Sequence, residues 1–155
     1  MPISWLPLLL FVPHVIEEYP GFPAWATRHF GVTSRAWYVY SHVVLVAGMA
    51  ALGWLAEGAA PNSVGLLLVV AIQVSLAGNA IFHLATTALF REYSPGVVTG
   101  TALFLPATAL VVRDAAQTSG QLGTAVILGV VSQVLVIASL WLPMDLGWTS
   151  WRRSR

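Results

Sequence analysis

Five apolar runs, each near the length a helix needs to cross a bilayer, dominate this sequence: residues 2–18, 36–56, 63–90, 95–112 and 123–142. A membrane-spanning helix takes about 20 apolar residues, because it rises about 1.5 Å per residue through a hydrocarbon core about 30 Å thick. Composition leaves no soluble alternative. Apolar residues make up 57% of the chain and charged residues 8%, where about 25% charged is usual in a soluble domain. So few charges cannot cover a water-facing surface. The expected architecture is therefore all-α: one transmembrane domain over residues 1–155, a multi-pass helical bundle of about five spans in the cell membrane. The net charge of +1 gives no footprint for nucleic acid. The absence of Cys removes disulfides, thiolate metal sites and cysteine nucleophiles.

The first run, 2–18, contains Pro7 and Pro13. It has no basic leader region and no small-x-small cleavage site, so it reads as a span rather than a signal peptide. Five spans place Arg28, Arg35, Arg91, Arg152, Arg153 and Arg155 on one side and only Arg113 on the other. The positive-inside rule then puts the N-terminus outside and the C-terminus in the cytoplasm. Trp5, Trp37, Trp54, Trp141, Trp148 and Trp151 fall near span ends, as an aromatic belt does. Pro20, Gly21 and Pro23 precede a short interfacial helix expected over 23–31. Gly96 and Gly100 open the fourth span with spacing that permits close helix contact, within the chain or with a second copy.

Polar residues inside such spans are costly and usually functional. His14, Glu17 and Glu18 form H-x-x-E-E; on a helix they share one face within an arc of about 100°. Asn79 and His83 form N-x-x-x-H, one turn apart, with Ser75 and Thr86 on the same stripe. His42 lies roughly 9 Å inside the start of its span and His83 roughly 10 Å inside the end of its own. Both depths match that of His14–Glu18, so three spans deliver His and Glu to one level. Neutral imidazoles and carboxylates are ligands for zinc and non-haem iron. His14, Glu17, Glu18, His42 and His83 are the candidate ligands for one or two such ions. Glu18 is also a candidate general base, and Asn79 a residue that orients a ligand or substrate. His29 reads as an ordinary interfacial residue, and Ser132 and Gln133 as interhelical hydrogen-bonding groups.

His14-Val-Ile-Glu17-Glu18, then Asn79-Ala-Ile-Phe-His83, then Tyr93-Ser94-Pro95-Gly96 resembles the HXXEE-domain family of small bacterial and archaeal membrane proteins, over about residues 8–110. The resemblance implies site residues His14, Glu17, Glu18, Asn79 and His83, with Tyr93, Pro95 and Gly96 beside them. It implies no reaction. Tyr93 is a candidate catalytic residue that reaches the site or anchors at the interface, and Pro95 fits the first turn of the fourth span.

The expected function is a membrane-embedded metal site near the cytoplasmic side, acting as an enzyme on a lipid or other apolar small molecule. A metal-activated water would make it a hydrolase, and a redox metal an oxidoreductase. A metal-free acid–base site, as in a double-bond isomerase, and a binding or transport protein are the alternatives.

Overall fold

The computed structural model describes residues 3–142, and these form six helices with no strand among them. Pro2, Asp145, the tryptophans at 148 and 151 and the arginines at 152, 153 and 155 lie outside the described residues. A 3-10 turn, Ile3–Trp5, leads into α1, Leu6–Glu18. Pro7 sits in the first turn, where a missing N–H costs nothing. Pro13 lies inside α1 and cannot donate to the carbonyl of Leu9. Tyr19 keeps helical backbone and donates to the Val15 carbonyl; Pro20, with no N–H to give, stops the ladder there. With its leading turn α1 covers about 26 Å. It is shorter than the run expected over 2–18. Four other helices are long and apolar enough to cross a membrane unaided: α3, Arg35–Leu55; α4, Val64–Phe90; α5, Val97–Thr118; and α6, Leu122–Ser139.

Local sequence sets each boundary. The hydroxyls of Ser34 and Ser63 cap α3 and α4, accepting from the N–H groups of Trp37 at 3.1 Å and Leu66 at 3.2 Å. Arg91, in the left-handed region at φ 53°, ends α4. α5 widens to a π-helix over Gly100–Phe104, directly before Pro106. A proline ring crowds the carbonyl four residues back, here that of Ala102, and the wider turn relieves that crowding.

The short helix expected over 23–31 is α2, Phe22–His29, which exposes Ala24, Thr27 and Arg28 and turns its other face to the bundle. It buries Phe22, Trp25 and Ala26 against Tyr38, Phe82 and Phe90 at the end of the bundle. Its polar face is tied down by Glu92, whose Oε1 lies 3.2 Å from Arg28 Nη2 and 2.6 Å from His29 Nε2. The hydrogen bond from His29 holds the Glu92 carboxyl below its usual range. His29 also stacks on Phe90 at 3.9 Å.

α4 is the central post, contacted by α1, α3, α5 and α6. Its closest neighbour is α6. A Cβ added at Gly129 would lie 2.5 Å from the carbonyl oxygen of Ala71, and one added at Gly78 would lie 2.7 Å from Gln133 Cγ. Phe11, Met49, Leu76, Ala80 and Phe104 close the core where α1, α3, α4 and α5 meet. Gly100 lets α5 approach α4, where an added Cβ would sit 3.3 Å from the Ala80 Cα. The Gly96/Gly100 pair is thus spent on contacts within the chain. The C-terminal end of α1, the start of α3, the end of α4 and the start of α5 share one end of the bundle with Arg28, Arg35 and Arg91.

These contacts generate a stability test. Gly129→Ala must push α6 off the Ala71 carbonyl and should lower the melting temperature in detergent, by an amount corresponding to about 1–3 kcal/mol. Gly123→Ala, where an added Cβ meets nothing within 4 Å, should leave it unchanged or slightly higher. Equal behaviour of the two variants would contradict the close α4–α6 packing.

Candidate metal centre

Glu18, at the C-terminal end of α1, is the hub of the site and is 3% exposed. Its Oε1 lies 3.0 Å from His83 Nε2 and 3.5 Å from His14 Nε2. Its Oε2 accepts from the Tyr38 hydroxyl at 3.0 Å and lies 3.4 Å from His42 Nε2. Four sequence-predicted residues, His14, Glu18, His42 and His83, therefore meet. α1 supplies two of them one turn apart, α3 supplies His42 and α4 supplies His83. His14 and His83 are fully buried, while His42 is half-open to a cavity.

The other ring nitrogens decide what these histidines present. His42 Nδ1 lies 2.7 Å from the backbone carbonyl of Tyr38. A carbonyl only accepts, so Nδ1 carries the proton and a neutral ring turns a lone pair at Nε2 toward Glu18. His14 Nδ1 lies 3.0 Å from Thr99 Oγ1. The Thr99 hydroxyl donates to the Glu17 carboxylate, so its oxygen is left to accept from His14 Nδ1. His14, too, directs a lone pair at Nε2 into the site when neutral. His83 Nδ1 is held by the buried Ser94 hydroxyl at 2.9 Å, with the Thr86 hydroxyl 3.2 Å from that oxygen.

Lone pairs and a carboxylate thus converge on one point, and acceptors facing acceptors need a cation between them: protons or a metal. The buried Nε2 atoms of His14 and His83 make no hydrogen bond despite their short separation from Glu18. Ring nitrogens aimed beside the oxygen rather than at it fit a shared ion. So do the spacings. The ligand atoms of His14, Glu18 and His83 lie within 4.8 Å of one another. Bonds of about 2.0–2.1 Å in a tetrahedron put neighbouring ligand atoms about 3.4 Å apart, close to the separations around Glu18.

Rings hold the ligands in place. Tyr38 stacks on His42 at 3.8 Å, Phe11 lies parallel to His42 at 5.7 Å, and Phe104 packs on His14 at 4.7 Å. Gly96 closes the site from the α5 side. It sits at φ 101°, a left-handed conformation that favours glycine. A Cβ there would lie 2.7 Å from His14 Cε1 and 2.9 Å from Glu18 Cγ.

Glu17 points elsewhere. Its carboxylate accepts from the N–H groups of Gly96 and Val98, both at 3.1 Å, and of Thr99 at 2.7 Å. It also accepts from the Tyr93 and Thr99 hydroxyls. This is a carboxylate on a helix N-terminus, where free N–H groups and the helix dipole favour negative charge. The structure therefore sets Glu17 and Tyr93 outside the cluster, at the start of α5. Partial burial and the adjacent Glu17 carboxylate push the Tyr93 phenol up to about 12, so it stays a proton donor. Pro95 lies in the turn before α5 and not in its first turn, because the helix starts at Val97 after Gly96. Asn79 lies one turn before His83 on α4 and lines the cavity, and its Oδ1 is buried without a partner.

The cavity has a volume of about 790 Å³ and lies between α3, α4 and α6. His14, Glu18 and His42 stand at one end, and most of the remaining wall is apolar. Val44 and Leu45 of α3 and Val136 of α6 line it and are also outwardly exposed. The cavity therefore opens sideways, toward what would be lipid.

Sequence reasoning missed Tyr38, Ser94 and Thr99. Tyr38 could have been found, since it stands one turn before His42 on the same helical face. Ser94 lay inside a motif already singled out. Thr99 had no signal of its own; the α1–α5 contact reveals it.

The family described as "Protein of unknown function with HXXEE motif" matches this chain over residues 5–111. Comparison with curated proteins and with solved structures finds no match.

The capping role of Glu17 predicts a stability effect separable from the site. Glu17→Ala leaves three helix N–H groups without their acceptor and should cost roughly 2 kcal/mol or more in thermal unfolding. Glu57→Ala, at an exposed position, should cost nothing measurable. An unchanged melting temperature for Glu17→Ala would remove the carboxylate from the account of how α5 docks.

Proposed function

The chain belongs to this family of proteins of unknown function with an HXXEE motif, and we propose that it is a membrane-embedded, metal-binding enzyme acting on a lipid or other apolar small molecule. The observation that carries this reading is the convergence of histidine Nε2 atoms on a buried carboxylate, with the Nδ1 protons of His14 and His42 committed elsewhere. His14, Glu18 and His83 hold a divalent ion, zinc or iron. Two histidines and a carboxylate suit either metal. When bound, the ion supplies Lewis acidity, and iron adds redox chemistry.

The chain's own groups do the rest. Tyr38 donates to Glu18 Oε2 and fixes the carboxylate, leaving Oε1 toward His14 and His83. His42 stands on the cavity side, where its Nε2 can take a proton from water or substrate, or complete the ligand set. The Glu17–Thr99 pair holds His14 in the tautomer a metal requires. Asn79 orients the substrate along the wall beside His83. The apolar cavity takes the hydrocarbon part from the lipid phase through its open side. The reading places one domain, residues 1–155, in the cell membrane, with α1 as a fifth span, the N-terminus outside and the site near the cytoplasmic leaflet beside Arg28, Arg35 and Arg91.

Elemental analysis of the detergent-purified full chain tests the reading. After dialysis against zinc or ferrous iron, about one equivalent should remain bound, and two would point to a bridging carboxylate. Glu18→Gln and His83→Ala should lose it. Thr99→Val should retain it with affinity reduced about 10–100-fold, as expected when the group orienting a ligand is removed. A wild-type protein that keeps neither metal would overturn the metal site. The 3.0 Å approach of His83 to Glu18 would then favour the second reading, a metal-free acid–base pair that moves a proton on an apolar substrate. That reading predicts an activity indifferent to chelators.

A further inference from the structure

The cavity carries a second polar feature that the His/Glu cluster does not use. On α4, Asn79 and Ser75 follow His83 one and two turns along, about 6 and 12 Å away. Facing them from α6 is Gln133, which is 6% exposed. Ser75 donates to Gln133 Oε1 at 3.2 Å. Gln133 Nε2, a donor, is left buried with no acceptor, and Asn79 Oδ1, an acceptor, is left buried with no donor. Ser75, Asn79 and Gln133 all line the cavity that holds His14, Glu18 and His42.

Leaving a buried donor and a buried acceptor unmet is costly, and apolar contacts cannot repay it. Packing does not explain the amide either, since Gly78 gives up its side chain to make room for Gln133. A hydroxyl is the small group that both accepts and donates. With the two amides turned toward the cavity they line, it would accept from Gln133 Nε2 and donate to Asn79 Oδ1.

The geometry points to a hydroxyl-reading subsite formed by Gln133 and Asn79: the cavity takes a single-chain amphiphile whose polar head lies at the His/Glu cluster and whose chain carries a second, mid-chain hydroxyl. The inference rests on the reading of the cavity as the site of an apolar substrate and names that substrate's second recognition element. It does not depend on the metal. The apolar walls along α3 and α6 contact the hydrocarbon on either side of the subsite.

Binding to the detergent-purified full chain tests it, with tritiated octadecanoate displaced by three unlabelled probes. The probes are octadecanoate, 10-hydroxyoctadecanoate and 2-hydroxyoctadecanoate. The wild type should bind the 10-hydroxy chain about tenfold more tightly than the plain chain, the gain expected from satisfying one buried polar pair. The 2-hydroxy chain, with its hydroxyl beside the head, should show no such gain. Gln133→Leu should bind octadecanoate at least as well as the wild type, which also shows that it folds, and should lose the preference for the 10-hydroxy chain. Equal binding of the plain and 10-hydroxy chains by the wild type would overturn the subsite alone, as would a preference that survives in Gln133→Leu. If none of the three chains binds, both the subsite and the apolar-substrate reading of the cavity fail.

Discussion

The burial of the Glu18 carboxylate is the constraint on which this bundle turns. Taking a carboxylate out of water costs several kcal/mol even after relaxation, and no single helix can repay that. The compensation comes from the Tyr38 hydroxyl on α3 and from the cation, protons or a metal, that His14 of α1, His42 of α3 and His83 of α4 share with the carboxylate. Each partner reaches Glu18 only when its helix is docked. Apolar packing brings helices together in many arrangements, since one leucine-rich face resembles another. A buried charge with four directional partners allows few. The site thus specifies the packing of α1, α3 and α4 while the surrounding rings, Phe11 and Phe104 among them, exclude water from it.

Two adjacent glutamates in H-x-x-E-E have different tasks because successive residues on a helix point about 100° apart. Glu18 faces α3 and α4. Glu17 faces the free N–H groups at the start of α5. Thr99 joins the two roles, donating to Glu17 and accepting from His14. The carboxylate that anchors α5 therefore also sets the tautomer of a histidine in the centre. One helical turn of α1 is coupled to three other helices, and a change at Glu17 reaches the site through Thr99 without any contact to Glu18.

Most of the fold was legible because hydrocarbon admits so few solutions. Long uncharged stretches must be helices, and the boundaries of α3, α4 and α6 follow from serine caps and the first polar residues. The convergence of His14, Glu18, His42 and His83 was legible from their common depth. What the sequence could not show was direction. Glu17 and Glu18 look equivalent on a helical wheel, and only the docked α5 separates them. The 3-10 turn over Ile3–Trp5 that precedes α1 had no signal in apolar composition. The aromatic face of α2 packs on Phe82 and Phe90, a tertiary contact that no local pattern encodes. Gln133 reads as an interhelical bond, and so half of its amide is; the other half is buried without a partner beside a cavity that exists only once α3, α4 and α6 are in place.

The depth of the site follows from the same physics. Ser94 and Gly96 belong to a non-helical stretch between α4 and α5, and irregular backbone within a bilayer survives only where protein covers it or water reaches it. Such a stretch belongs at the end of the bundle, where α2 and the Arg28–Glu92 pair roof it over. The polar cluster lies beneath that roof, shielded by Phe11, Phe104 and Gly96, at the end of the bundle that carries Arg28, Arg35 and Arg91. The cavity runs from the cluster into the bundle between α3 and α6. The helices that hold the buried carboxylate are the same helices that carry the exposed apolar faces, so one packing arrangement serves the polar cluster and the apolar cavity together.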